Sequence, residues 1–310
     1  MQRFRPTSRP QTLSHKALSA LDEKRFMPPS ERAMVLHLAG SLGMDGGARA
    51  ALAQLLAMGE NRKTGVAGQF MPDAGVSALL ASKGITENVD EADFFRFRRI
   101  VIPYGGIAPR QRRDWEDAGH SLEDLTSSQV RRAQVALGLL RMEGAQGLVI
   151  GRHEDPESLA LAGGGTGTRI IEDTTDTSRL AFSPAFGVVC QTTLSPRRVA
   201  WLVQQLRFRY RDARVTFLDT VCPSMVAREE ALEKILPPCD QVVIVGKAGE
   251  ASCEALAETA LRRGKTAVII AGPEDLQTAN LSGNPRLALT AGAFVLDETI
   301  RGVAEALACR

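Results

Sequence analysis

Cysteine is scarce in this chain and unevenly placed. The 310 residues hold five (Cys190, Cys222, Cys239, Cys253 and Cys309), all beyond residue 189. An odd number without a CxxC pair fits neither a secreted disulfide framework nor a zinc knuckle. Aromatic residues are also few, at 5%, which argues against a stacking platform for single-stranded nucleic acid. An excess of either charge is lacking too: 38 Lys and Arg against 36 Asp and Glu leave +2, so composition favours neither nucleic acid nor an anionic membrane as partner. No apolar run approaches the ~20 residues that span a bilayer, and the first residues lack a signal-peptide core. The glycine-rich turn Gly43–Gly47 carries neither GxGxxG nor a P-loop lysine. These absences predict a soluble, cytoplasmic protein with no nucleic-acid and no membrane partner.

What is present is a repeated alternation of short apolar strands and helical stretches. At ~100–200 residues per domain the length allows two or three domains. Residues 1–32 read as a basic, proline-containing extension, with seven Lys and Arg, three acids, and Pro6, Pro10, Pro28 and Pro29. A short helix around Leu13–Phe26 is compatible with it, and the extension could serve a protein partner. Beyond it, strands are expected at Ala33–Ala39, Ile100–Pro103, Gly147–Gly151, Gly187–Gln191, Ala213–Leu218, Gln241–Val245, Thr266–Ala271 and Arg286–Leu289. Helical spacing marks Gly47–Met58, Ser127–Glu143, Pro196–Tyr210, Met225–Ile235, Glu250–Arg263 and Asp297–Ala308, as in Val199, Leu202, Val203 and Leu206. The fold class is therefore α/β, with three small parallel-sheet units at 33–122, 123–217 and 218–310. Open parallel sheets place ligands at their strand C-terminal ends, so three such units predict a shared central cavity.

Several strand ends carry polar segments. Gly43-Met44-Asp45-Gly46-Gly47 precedes a helix, where backbone N–H groups could face an anion or simply make a tight turn. The glycine-rich Gly163–Thr168 precedes a strand and reads as a surface turn. Glu154, Asp155 and Glu157 follow the Gly147–Ile150 strand, where two or three carboxyls could transfer protons or bind a cation, and a plain charged loop is equally compatible; His153 beside them reads as a surface histidine. Ser195 and Pro196 suit the N-cap and first turn of a helix. Cys222 lies at a helix start, where backbone dipoles favour thiolate, although an inert cysteine is equally compatible.

Gln191-Thr192-Thr193-Leu194-Ser195, Asp219-Thr220-Val221-Cys222 and Leu289-Thr290-Ala291-Gly292-Ala293, in this order, resemble the QTTLS, DTIC and VTAGAS signatures of the LytB/IspH family of 4-hydroxy-3-methylbut-2-enyl diphosphate reductases. The resemblance runs from about Ile100 to the C-terminus and more faintly over Val35–Gly84. It implies three α/β units around a central [4Fe–4S] cluster held by three cysteines. Of those cysteine positions only Cys222 keeps the thiol; Ser127 and Asp45 fall at the other two. Cys253, one residue past a cavity-facing position, could approach Cys222. The family's substrate histidines fall at Pro72, Gly105 and Asp155, and its diphosphate-binding side chains at Glu250, Ala251, Ser252 and Phe294. Glu157 matches the catalytic glutamate, with Thr192 and Thr193 as its hydroxyl partners.

Replacing imidazoles and hydroxyls by Asp45, Asp155 and Glu250 changes the charge around Glu157. Two carboxylates ~4 Å apart repel by ~4 kcal/mol at an effective dielectric of 20, and a diphosphate would add to this. The expected ligand is thus a small polar molecule other than a diphosphate. No cofactor is expected, a divalent cation is allowed for, a [4Fe–4S] cluster is not expected, and Cys222 would ligate metal only if one were retained. Three readings follow. In the preferred one an enzyme does non-redox acid/base chemistry through Glu157, Thr192, Thr193 and Cys222, with Asp45, Gly105, Ser127, Asp155, Glu250, Ser252 and Phe294 around the ligand. The others are an inactive homologue that binds a small molecule or protein, and an iron–sulfur reductase with unusual cluster ligands.

Overall fold

The computed structural model describes residues 34–58, 63–163, 167–281 and 286–309. The helix expected near Leu13–Phe26 and part of the Gly163–Thr168 turn lie outside the described residues. Three parallel sheets organise the rest. The first contains β2 (Thr64–Val66), β3 (Arg99–Ile102) and β4 (Leu122–Asp124), in that order. The second runs β6 (Arg169–Ile171), β5 (Gln146–Ile150), β7 (Ala185–Cys190), β8 (Arg214–Phe217). The third runs β1 (Val35–Leu38), β11 (Arg286–Ala291), β9 (Gln241–Val245), β10 (Thr266–Ile270).

Every strand pair is parallel. Parallel neighbours need crossovers, and here helices supply them, covering the sheet faces. That cover explains the unbroken apolar strands: all five residues of β9 are buried. Val199, Leu202, Val203 and Leu206 form the buried stripe of the helix Pro196–Arg209, as their spacing predicts.

Strand pairing redraws the division that sequence order suggests. β1 precedes the first sheet in the chain yet pairs with β11, Val35 opposite Arg286 and Leu38 opposite Leu289. Leu36 packs into the core of the third sheet with Leu287, Leu289 and Val303. From Val35 onward the described chain therefore begins in the third unit, builds the first two, and returns. β4 likewise carries the first sheet to Asp124, because it pairs with β3.

One buried side chain ties the first segment to the last. Arg228, in the helix Pro223–Ile235, is 1% exposed. It donates from Nη2 to the carbonyl of Gly43 at 2.9 Å and from Nη1 to that of Ala291 at 3.4 Å. Its Nε has no partner, and burial lowers its pKa, opposed by the nearby Glu250 and Asp45. Gly43 itself sits at φ +69°, and a Cβ there would stand 2.7 Å from Ile300 Cδ1, so only glycine brings this loop so close to the third unit. Replacing Arg228 by alanine is expected to cost about 2–5 kcal/mol, from two orphaned carbonyls and a cavity. Denaturant unfolding of the variant checks this, and an unchanged midpoint would refute the role.

Candidate functional site

The segments following β1, β2, β3, β4, β5, β7, β8, β9 and β11 all reach one central cavity. Five helices also start there: α1 (Gly46–Met58), α4 (Ser128–Met142), α5 (Pro156–Ala162), α8 (Pro223–Ile235) and α9 (Ala251–Arg262), with α2 (Ala74–Ser82) and α3 (Pro109–Asp117) between α1 and α4. Helix N-termini carry unsatisfied N–H groups and partial positive charge. This chain meets them with its own side chains. Asp45 accepts from the Ala48 N–H at 2.9 Å, and Ser127 from that of Gln129 at 3.2 Å. Asp155 accepts from the Glu157 N–H at 2.9 Å. Glu250 accepts from those of Ser252 at 3.0 Å and Cys253 at 3.1 Å. Cys222 occupies the same position on α8 without a side-chain cap bond.

The cavity falls into two compartments separated by Tyr104 and Phe294, whose rings meet edge to face at 6.1 Å. The inner one, about 30 Å³, gathers Asp45, Ser127, Thr192, Cys222 and Ser224. The outer one, about 50 Å³, gathers Phe70, Pro72, Asp155 and Glu250. Gly105, Glu157 and Thr193 border both. Among the described residues, no lysine, arginine or histidine lines either compartment.

Glu157 is the central group. One carboxylate oxygen accepts from the Thr192 backbone N–H at 2.5 Å and the other from the Thr192 hydroxyl at 3.0 Å. Burial pushes its pKa up to about 8; the Thr192 bonds oppose this, while Asp155 and Glu250 add to it. Glu157 is therefore mostly protonated at neutral pH. Burial also raises the pKa values of Asp155 and Glu250.

Several expected site residues are placed differently. The Thr193 hydroxyl accepts from Gln191 Nε2 at 3.0 Å instead of reaching Glu157. Gln191 is an interior hub that also accepts from Ser158 Oγ at 3.1 Å and from the Arg152 N–H at 3.2 Å. Ser252 lines neither compartment: its hydroxyl donates to Glu250 and accepts from the Ala293 N–H at 2.8 Å, which locks the start of α9 to the end of β11. Ser195 stands at the start of the helix α7 (Pro196–Arg209; α6 is Thr174–Arg179), but its buried hydroxyl makes no cap bond. His153 lies on the surface, its Nε2 2.8 Å from Asp176.

The thiols separate as well. Cys222 Sγ lies 3.0 Å from Ser224 Oγ and 4.0 Å from Asp45 Oδ2. Cys253 does not join it: it is buried in the third unit's core, where a Cβ on Gly246 or Gly292 would stand 2.5 or 2.6 Å from its sulfur. Cys190, beneath the cavity, bonds Thr220 at 3.3 Å, and burial pushes its thiol up to about 12. Tyr104 went unrecognised in the sequence. Its hydroxyl approaches the first turn of α1, 3.1 Å from where a Gly47 Cβ would be, and burial raises its pKa to about 12, with Ser127 opposing. The available signal was an aromatic residue at a strand end, directly before Gly105-Gly106, in a chain with only two tyrosines.

The family model described as LytB protein matches residues 36–308. The chain belongs to the LytB family. Curated relatives named 4-hydroxy-3-methylbut-2-enyl diphosphate reductase include one from Methylibium petroleiphilum, 29% identical over 74% of this chain and 70% of the relative. Another, from Chlamydia trachomatis, is 27% identical over 72% of this chain and 73% of its own. Among solved structures, the E-1-hydroxy-2-methyl-but-2-enyl-4-diphosphate reductase from Plasmodium falciparum superposes with a TM-score of 0.80, covering 88% of this chain and 87% of its own at 21% identity. That likeness supports the α/β architecture of parallel sheets.

The family overturns the expectation that no cofactor is involved. Relatives matching about two thirds or more of the chain are reductases by name, and membership in this family points to a [4Fe–4S] cluster. The side chains present nevertheless do not fit a cubane, which normally takes three or four thiolates. The inner compartment offers one thiol, one carboxylate and hydroxyls, and about 30 Å³ holds no more than a few waters. Among the described residues, no group of three or more His, Cys, Asp or Glu is placed to hold a metal ion.

The buried carboxyl has a pH signature. A folded-state pKa of about 8 means the folded chain holds a proton that the unfolded chain releases above about 4.5. Stability is then fully supported below pH 4.5 and falls as pH rises towards 8. Relative to Glu157→Gln, the wild type is expected to lose stability between pH 5 and 8 in denaturant titrations. A constant difference across that range would disprove a protonated Glu157.

Proposed function

We propose that this LytB-family chain is an acid–base enzyme acting on a small uncharged or cationic polar molecule, with Glu157 as the proton donor and acceptor. The observation that carries this reading is a buried carboxyl, gripped at both oxygens by Thr192, on the wall of a cavity that no basic residue among those described lines. A group with a pKa near working pH is suited to both giving and taking a proton. Thr192 fixes the orientation of the carboxyl, and Gln191 fixes Thr193 beside it. The pocket opposes a diphosphate electrostatically. Asp45, Asp155 and Glu250 already occupy helix N-termini that could otherwise attract phosphate, and Phe294 narrows the space between the compartments.

Native mass spectrometry of the gently purified protein identifies a retained ligand, and incubation in D₂O then reads proton transfer. Wild-type protein is expected to exchange a hydrogen of that ligand about 10²–10⁴ times faster than Glu157→Gln. No exchange, or equal exchange by both proteins, would sink the reading.

A second reading, the iron–sulfur reductase named for the relatives, is favoured by the gathering of Asp45, Ser127 and Cys222 on one compartment. Anaerobic reconstitution with iron and sulfide decides between the two. Stoichiometric iron, broad visible absorption and reduction of 4-hydroxy-3-methylbut-2-enyl diphosphate would establish the reductase and displace the acid–base proposal. Iron-free, colourless protein would remove it.

A further inference from the structure

The outer compartment has a composition that neither proton transfer nor the family accounts for. Three aromatic side chains, Phe70, Tyr104 and Phe294, border it, together with Pro72. Three carboxyls, Asp155, Glu157 and Glu250, complete it. Its other polar side chains are engaged elsewhere: Gln69 Nε2 lies 3.4 Å from Ser77 Oγ, Thr193 accepts from Gln191, and the Tyr104 hydroxyl bonds Ser127. The hydrogen-bonding capacity left to a ligand is mainly carboxylate lone pairs. A carboxylate offers about four acceptor sites. Glu157 uses two on Thr192, and Glu250 uses three on Ser252 and Cys253.

Such a cavity wants a donor that carries charge and tolerates aromatic neighbours. Aromatic faces attract cations through their quadrupole, and more strongly when water is excluded. An alkylammonium group meets both demands. A polyol would donate to the same oxygens, yet it would gain nothing from the rings. An anion would meet three carboxyls, and the nearby cation, the buried guanidinium of Arg228, is already engaged by the carbonyls of Gly43 and Ala291. A free volume of about 50 Å³ suits a short ammonium head group, with the remainder of the molecule directed to the mouth. We infer that the outer compartment is a binding site for the ammonium group of a small primary amine, held between Phe70, Tyr104 and Phe294 above the carboxyls of Glu157, Glu250 and Asp155. This names the substrate class for the acid–base reading and rests on the same site.

Binding of a cation would also displace a proton. Glu157 is faced by Asp155 and Glu250 across the outer compartment, by Tyr104 between the compartments, by Asp45 and Cys222 across the inner one, and by Cys190 from below. Ammonium beside it favours the ionised form, so below about pH 8 binding must release the proton that Glu157 holds.

Titrating the full-length protein with ethylammonium, with ethanol as a neutral probe and pyrophosphate as an anionic one, tests the inference by calorimetry or NMR. Ethylammonium is expected to saturate, and its affinity to rise by up to about tenfold per pH unit from pH 6 until levelling near pH 8. Glu250→Gln is expected to weaken it about tenfold or more, and Phe294→Leu, which keeps an apolar side chain, about threefold or more. Equal binding of ethanol, tighter binding of pyrophosphate, no saturation by ethylammonium, or unchanged affinity in both variants would each overturn it. These outcomes are separable from failure of the acid–base reading. Ammonium binding without D₂O exchange leaves a binding protein, whereas exchange on a retained neutral ligand without ammonium binding leaves the enzyme and removes the amine.

Discussion

Five helices begin at the same place, and the positive ends of their dipoles must be answered there. A cavity ringed by helix N-termini is by construction an anion site. In this protein the anions are its own carboxylates: Asp45, Asp155 and Glu250 each accept N–H groups from the first turn of a helix that starts at the cavity. The fold's polarity is thereby satisfied internally. The rest of the centre follows, since any group placed there must live beside these carboxyls in a space that, among the described residues, no lysine, arginine or histidine lines.

Glu157 shows the consequence most directly. In water its carboxyl would be ionised at neutral pH; buried, and beside Asp155 and Glu250, it keeps its proton against the opposing bonds from Thr192. The same enclosure depends on packing far from the acids. Tyr104 and Phe294 split the space, Ser252 pins α9 to the end of β11, and Arg228 holds the Gly43 loop against the third unit. The chemistry of the site is thus set by a carboxyl whose surroundings come from all three sheets.

Much of the fold was legible in the chain. Short apolar strands such as Gln241–Val245 and the 3.6-residue stripe of Val199, Leu202, Val203 and Leu206 are local signals that burial only confirms. β1 was legible as a strand but not as a member of the third sheet, because pairing partners 250 residues apart leave no local trace. The site was legible in part. Thr192 lies where its motif suggests, bonded to Glu157, but Thr193 is turned to Gln191 and Ser252 to Glu250. Motif position indicates that a hydroxyl is nearby, not which neighbour takes its hydrogen bond.

The sequence by itself determined the α/β alternation and the family, since these are carried by periodicity and by contiguous motifs. It also determined that all five cysteines lie beyond residue 189. Only the tertiary structure decided that the substituted acids cap helices and face one cavity, that Cys253 is apart from Cys222, and that Tyr104 fills the centre. Side-chain direction, burial and shared volume arise where segments from three sheets meet. No single stretch of chain contains that meeting point.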